Sequence, residues 1–294
     1  MSNGCSSLNL NCKSSCSPDA GLGKPLPIFN CFCSLVYGIP AAWGTRTKVV
    51  TWEHGNFFND WGSRWIPRFR RFAARHSDAV VVLTRQDWEN YLTHVSRCRP
   101  VQVIPNLAPS CQAAYDPGAK TILSAGLLTP LKGFARAIEL AAKVLPSHPE
   151  WNWVICGEGP DRPRLEQLIA DRGLQGRVLL PGTAADMEAQ YHRAAMFVLT
   201  SDTEGLPMVL LEARACGLPI LAFDIMTGPA DLISDGKNGY LLPAFDLDAM
   251  AVRITALMDS ADLRQQLSAH AGEGMDAYSP QAITAAWQEL LERN

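Results

Sequence analysis

The sequence contains no apolar run approaching the roughly 18 residues that a membrane-spanning helix needs. Its N-terminus lacks the charged start and apolar core of a secretory signal, so a cytoplasmic location is the expectation. Positive charge is not in excess: 26 Lys and Arg face 29 Asp and Glu, for a formal net charge of -3. That balance removes the electrostatic case for a nucleic-acid partner. Nine cysteines include no C-x-x-C pair, and no histidine precedes His54. Both facts argue against a zinc site in the cysteine-rich start, which holds Cys5, Cys12, Cys16, Cys31 and Cys33. An odd cysteine count in a chain of 294 residues also argues against a disulfide framework, so reduced thiols are expected.

What is present describes a soluble globular chain, 47% hydrophobic and 19% charged, long enough for about two domains. Residues 1–33 show neither period 2 nor period 3.6 and read as loop or disorder. Residues 34–43 are apolar, interrupted by Gly38 and Pro40, and could form a short packed helix. Lys48 to Trp52 reads as a buried strand ending in the polar loop Glu53-His54-Gly55-Asn56-Phe57. Pro67 opens a helix to about His76, with Arg64, Arg68, Arg71 and Arg75 on one stripe. Contact with an anionic membrane surface or a phosphate-bearing acceptor is one reading of that stripe, and a solvated basic face the other. Asp78 to Leu83 is a strand, Thr84 to Asp87 looks like a capping box, and Val101 to Ile104 is a further strand. Three prolines between 105 and 119 mark the inter-domain linker.

From there strands near 120–125, 152–156, 177–181, 196–200, 219–223 and 239–242 alternate with helices. Such alternation predicts an α/β fold with a parallel, doubly wound sheet. A last amphipathic helix runs from about Pro280.

Three loops at one edge of this sheet carry chemistry. Gly126 to Phe134 joins a glycine that lets backbone approach a ligand to Lys132, a point charge suited to phosphate. Gly157-Glu158-Gly159-Pro160 again permits close approach. In the third, Glu204 precedes a helix that Pro207 opens as its first residue, and Glu212 lies inside that helix. Helix N-termini at strand C-terminal ends suit anions and rings of hydroxyls. A plain turn around Lys132 and an ordinary helix with one solvated acid are the competing readings. His54, at the end of its strand, faces the same alternatives of structural and reactive histidine.

In this order the motifs Trp52-Glu53-His54, Val103-Ile104-Pro105-Asn106, Gly126…Lys132-Gly133-Phe134, Gly157-Glu158-Gly159-Pro160, Leu180-Pro181-Gly182, Glu204-Gly205-Leu206-Pro207…Glu212 and Gly228-Pro229…Asp235-Gly236…Asn238-Gly239 resemble the family 4 (group 1) glycosyltransferases of the GT-B fold. The resemblance spans roughly 34 to 290 and looks most similar to members that build lipopolysaccharide or exopolysaccharide. It implies two Rossmann-like domains: a partial, acceptor-side one over 34–107 and a nucleotide-sugar-binding one over 108–278, with 279–294 a C-terminal helix.

It also implies a retaining, front-face transfer from a nucleotide-sugar donor, UDP-linked, to a saccharide or lipid-linked acceptor at the inner face of the membrane. The donor is a substrate, and neither cofactor nor metal is implied. Lys132 would bind the donor diphosphate and Glu204 the sugar hydroxyls. Gly205, Leu206, Pro207 and Met208 would present backbone, and Glu212 would hold the ribose. Gly126 would approach the diphosphate and Gly182 border the base, while His54 would stand on the acceptor side. A cation and a helix N-terminus can stabilise the charge of a departing diphosphate without a metal.

Two departures stand out. Leu127 takes the place of the family's usual arginine, which costs on the order of 3 kcal/mol of transition-state binding if nothing replaces it. The first domain also looks truncated, so a non-catalytic remnant that binds nucleotide sugar is the alternative expectation.

Overall fold

The computed structural model describes residues 28–29, 38–45, 47–60, 62–111 and 114–293. Among the described residues ten strands form two parallel sheets. The first has the order β1 (Ile28–Phe29), β2 (Val50–Trp52), β3 (Ala79–Val82) and β4 (Val101–Val103). Its β1 pairs with Val50 and Thr51, so residues 28–29 are strand where the sequence reading expects loop. Two residues are too short for a periodicity signal. The loop or disorder expected over the rest of 1–33, and the first part of the short helix expected over 34–43, lie outside the described residues.

The second sheet holds β5 (Thr121–Ala125), β6 (Asn152–Cys156), β7 (Val178–Gly182), β8 (Met196–Leu199), β9 (Ile220–Phe223) and β10 (Gly239–Leu242). Its spatial order is β7-β6-β5-β8-β9-β10. The chain reverses direction across the sheet between β5 and β8, so those two strands flank the topological switch point.

Both faces of this sheet are covered, which is why its inner strands are mainly apolar rather than alternating. Along β8, Met196 and Val198 enter one core, with Ile122, Phe134, Ile138 and Trp153. Phe197 and Leu199 enter the other, with Leu123, Leu210, Leu211 and Ile220. The last helix, Pro280–Arg293, returns to the first sheet, where Ile283 and Leu290 pack on Val50, Val81 and Ile104. The other face of that sheet packs on Ala74, Tyr91 and Val95.

Helix starts follow local chemistry. Thr84 caps the helix Arg85–His94 by accepting from Asp87 N–H, as the capping-box pattern predicts. Pro67 sits in the first turn of Ile66–His76. Pro207 is the N-cap of Met208–Ala215, one position earlier than the sequence reading gives, within the usual latitude of helix ends.

The expectation of reduced thiols is overturned at one place: Cys111 and Cys216 are disulfide-bonded. They are 105 residues apart in sequence, so only the fold brings them together, and counting and spacing could not pair them.

Candidate active site

The loops after β5 and β8 meet at the switch point. Gly133 takes the left-handed conformation, φ 66°, directly after Lys132. A Cβ there would stand 2.0 Å from the Thr200 carbonyl, so only glycine lets the two loops pack this closely. The approach carries Lys132 to the β8 loop. Lys132 Nζ donates to Glu204 Oε1 at 2.8 Å and Oε2 at 2.9 Å. Ser201 Oγ donates to Glu204 Oε1 at 2.6 Å. The pair is largely dry, with side chains 30% and 9% exposed.

The backbone of Glu204 is fixed as well. Its carbonyl accepts from Thr227 Oγ1 at 2.6 Å and from Asn56 Nδ2 at 2.9 Å. Asn56 Nδ2 also donates to Thr203 Oγ1. Asn56 belongs to the loop after β2, so the first sheet grips the Glu204 turn directly. That loop is anchored by buried charge. Glu53 accepts from Arg70 Nε at 2.9 Å and from Tyr91 Oη at 3.2 Å. Arg70 also donates to the carbonyls of Phe57 and Asn59. Burial pushes the neighbouring Asp87 carboxyl up to about 6, against hydrogen bonds from Phe57 N–H and Asn90.

A cavity of about 310 Å³ opens beside this turn, among Gly126, Leu127, Gly157, Thr183, Val209 and Glu212. Glu212 is held by Tyr191, whose hydroxyl donates to Oε2 at 2.6 Å. Burial, and then the Glu212 charge, raise the Tyr191 hydroxyl well above the usual phenol range, so it stays a proton donor. The stem of Lys132 packs beside Gly126, which lines this cavity: a Cβ on Gly126 would lie 3.7 Å from Lys132 Cδ. The first turn of Met208–Ala215 adds N–H groups without intrahelical acceptors.

Lys132, Glu204, Glu212, Gly126, Gly205 and Met208 are thus brought to one edge. Gly182 ends β7, adjoining Thr183 in the cavity wall. Leu206 is different: its side chain is buried in the core, so only its backbone is available. Pro207 has no N–H to present.

His54 arrives from the other sheet. Its carbonyl touches Gly205, where a Cβ would come within 2.4 Å. Its exposed imidazole packs on Trp52 with centroids 4.4 Å apart, and makes no hydrogen bond to Lys132, Glu204 or Glu212 among the described residues. Partial desolvation lowers its affinity for a proton below that of an ordinary imidazole, which the Glu53 charge opposes.

Sequence reasoning missed Asn56, Tyr191, Ser201 and Thr227. Asn56 lies in the polar loop already singled out, but nothing in the pattern marks the other three. Leu127 is 61% exposed in the cavity wall, which carries no arginine among the described residues. The chain does contain one Asp-x-Asp, at Asp246-Leu247-Asp248. It is a helix start: Asp246 caps Asp248 and Ala249 N–H, and Asp248 pairs with Lys143 at the surface.

Comparison with known proteins adds the following. A family model described as glycosyl transferases group 1 matches residues 112–273. An exopolysaccharide phosphotransferase of Streptomyces coelicolor is 37% identical over 73% of the chain, and the chain spans 23% of that protein. An amylovoran biosynthesis glycosyltransferase of Erwinia amylovora is 29% identical over 84% of the chain, which spans 70% of it. Among solved structures, S. aureus TarM in complex with fondaparinux, alpha-GlcNAc-glycerol and UDP superposes with a TM-score of 0.80 at 25% identity. That match covers 90% of this chain and 55% of TarM. The two-sheet GT-B arrangement implied by the sequence motifs is the arrangement found. No helix among the described residues is long and apolar enough to cross a membrane.

Proposed function

The chain belongs to the group 1 glycosyl transferases, and from that premise we propose that it moves a sugar from a UDP-linked donor to a saccharide or lipid-linked acceptor in cell-surface polysaccharide synthesis, with retention of configuration. The observation that carries the reading is the Lys132–Glu204 bond at the sheet edge where Gly126 and Glu212 line a cavity of nucleotide size. Glu212, oriented by Tyr191, holds the ribose hydroxyls. Gly126 lets the diphosphate approach the backbone, and Lys132 supplies charge to it. Gly182 and Thr183 border the base.

Transfer breaks a sugar–diphosphate bond and leaves negative charge on the departing group. Lys132 and the first turn of Met208–Ala215 are aimed where that charge grows, and such preorganised donors form a large catalytic term. When the diphosphate engages Lys132, Glu204 is released to accept hydrogen bonds from the donor sugar. His54, its proton affinity lowered, stands on the acceptor side as a hydrogen-bond partner. No metal or cofactor takes part in this reading. The exposed Arg64, Arg68, Arg71 and Arg75, with Trp65 between the cations of Arg64 and Arg68, supply the contact with an anionic membrane surface that a lipid-linked acceptor needs.

One observation favours a second reading, binding without turnover: exposed Leu127 in the cavity wall brings no charge to the diphosphate. Incubating purified protein with UDP-sugars, with and without saccharide acceptors, separates the two. UDP release that depends on acceptor supports transfer. UDP binding with no release supports the second reading, and no binding rejects both.

A further inference from the structure

Cys111 lies in the linker between the sheets, and Cys216 is the C-cap of Met208–Ala215. Their Cα atoms are 5.2 Å apart across the disulfide. A third group with thiol chemistry stands beside them. His192 Nε2 is 3.7 Å from Cys111 Sγ and 3.4 Å from the Glu188 carboxylate on its own helix, and one ligand atom from each of Cys111, His192 and Cys216 lies within 4.8 Å of the others. His192 Nδ1 is buried without a hydrogen-bond partner among the described residues.

The two sulfurs differ in access. Cys216 is buried, whereas Cys111 is half-buried and lines a groove of about 400 Å³ with Arg214, Met275 and Tyr278. A purely structural cross-link needs neither an imidazole nor a reachable sulfur. A pair that exchanges needs both: one sulfur open to solution, a base beside it, and a protected second sulfur to close the bond.

We propose that Cys111, Cys216 and His192 form a thiol–disulfide exchange site whose substrates are low-molecular-weight thiols and disulfides, and that its state sets how firmly the Glu212 helix is held. In the oxidising direction His192 Nε2 takes the Cys111 proton. The Cys111 thiolate attacks one sulfur of the small disulfide, that S–S bond breaks, and one small thiolate leaves. The Cys216 thiolate then attacks Cys111 Sγ in the mixed disulfide and expels the second small thiolate. Two electrons pass to the small disulfide, and the two protein protons end on the released thiols. Reduction is the reverse, beginning with an external thiolate that reaches Cys111 Sγ through the groove.

The site joins three elements around the nucleotide cavity. The linker is pinned by Tyr115, whose hydroxyl donates to Ala195 O at 2.6 Å. His192 ends the helix Met187–His192, and the residue before it, Tyr191, orients Glu212. Cys216 N–H donates to Glu212 O at 3.1 Å, so the disulfide sits one turn below that carboxylate. Opening the bond releases the linker from the helix end. This coupling rests on the nucleotide-sugar reading, whereas the exchange chemistry does not.

The test uses the full chain equilibrated across a glutathione redox series, alkylated, and mapped by peptide mass spectrometry. The expected result is a Cys111–Cys216 cross-linked peptide at the oxidised end and two alkylated cysteines at the reduced end. His192→Ala reaches the same end points about tenfold more slowly near neutral pH, with the deficit shrinking in alkali. A pair that does not respond to glutathione, an unchanged rate in His192→Ala, or a stoichiometric zinc ion held by the reduced protein overturns the exchange site. UDP calorimetry reads the coupling: the oxidised chain binds about three- to tenfold tighter, and Cys111→Ser abolishes the difference. Equal affinity in both states overturns the coupling. No UDP binding in either state removes it together with the functional reading, while the redox map still decides the exchange site.

Discussion

Lys132 Nζ bonds both carboxylate oxygens of Glu204, at 2.8 and 2.9 Å, across 72 positions of sequence. Each is the other's main charge partner in a nearly dry setting, so removing one leaves the other uncompensated. Lys132→Ala and Glu204→Ala are each expected to lower kcat/KM by on the order of 10²–10³. The double variant is expected to lose less than the sum of the singles, because each single also leaves its partner's charge uncompensated. Steady-state kinetics on the four proteins checks this, and additive losses would speak against the pair.

Glu212 is a different case, reached through Tyr191 rather than through the charge pair. Glu212→Ala should raise KM for the donor while kcat at saturation changes little, whereas the loss in Glu204→Ala, on the order of 10²–10³, should fall on kcat. Tyr191→Phe removes one charge-assisted hydrogen bond and should weaken UDP binding by roughly three- to tenfold. Calorimetry with UDP reads both.

Gly205 lies against the His54 carbonyl with no room for a methyl group. Gly205→Ala must push the Glu204 turn away from the first sheet, breaking the bond from Asn56 to the Glu204 carbonyl. Transfer should fall by at least tenfold with UDP affinity nearly unchanged, since Glu212 is untouched. Loss of both together would mean the turn supports the nucleotide as well.

Asp87 gives a pH signature. Its folded carboxyl is raised by burial to about 6, above its ordinary value of 3.8. The folded chain therefore holds this proton to higher pH than the unfolded chain does. Stability is lost as pH rises from about 4 through about 6, by at most about 3 kcal/mol. Asn keeps the oxygen that accepts from Phe57 N–H. Asp87→Asn should then be more stable than the parent by about 1–2 kcal/mol near pH 8 and no better near pH 4. Urea denaturation at the two pH values checks the sign.

The second sheet was legible because its strands are short, mainly apolar runs, four of them ended by glycine or proline, with helical patterns between them. The first sheet was harder: β1 is two residues long, and the cover of β2 and β3 comes from a helix some 200 residues downstream, a contact no local pattern announces. At the site, Lys132 and Glu204 were legible in the loops after their strands, and Glu212 in the helix that follows Glu204. Their joining was not, since it follows from the reversal of strand order between β5 and β8. Tyr191 and Thr227 were hidden because a buried hydroxyl that orients a carboxylate or carbonyl looks, in sequence, like any core residue. The disulfide was hidden for the same reason, its two halves lying 105 residues apart.

A crystal structure with UDP bound tests the central claim most directly. The account predicts ribose hydroxyls within about 3 Å of the Glu212 carboxylate, with Lys132 Nζ turned from Glu204 to a phosphate oxygen. UDP seated away from both residues, with the Lys132–Glu204 pair intact, would contradict it.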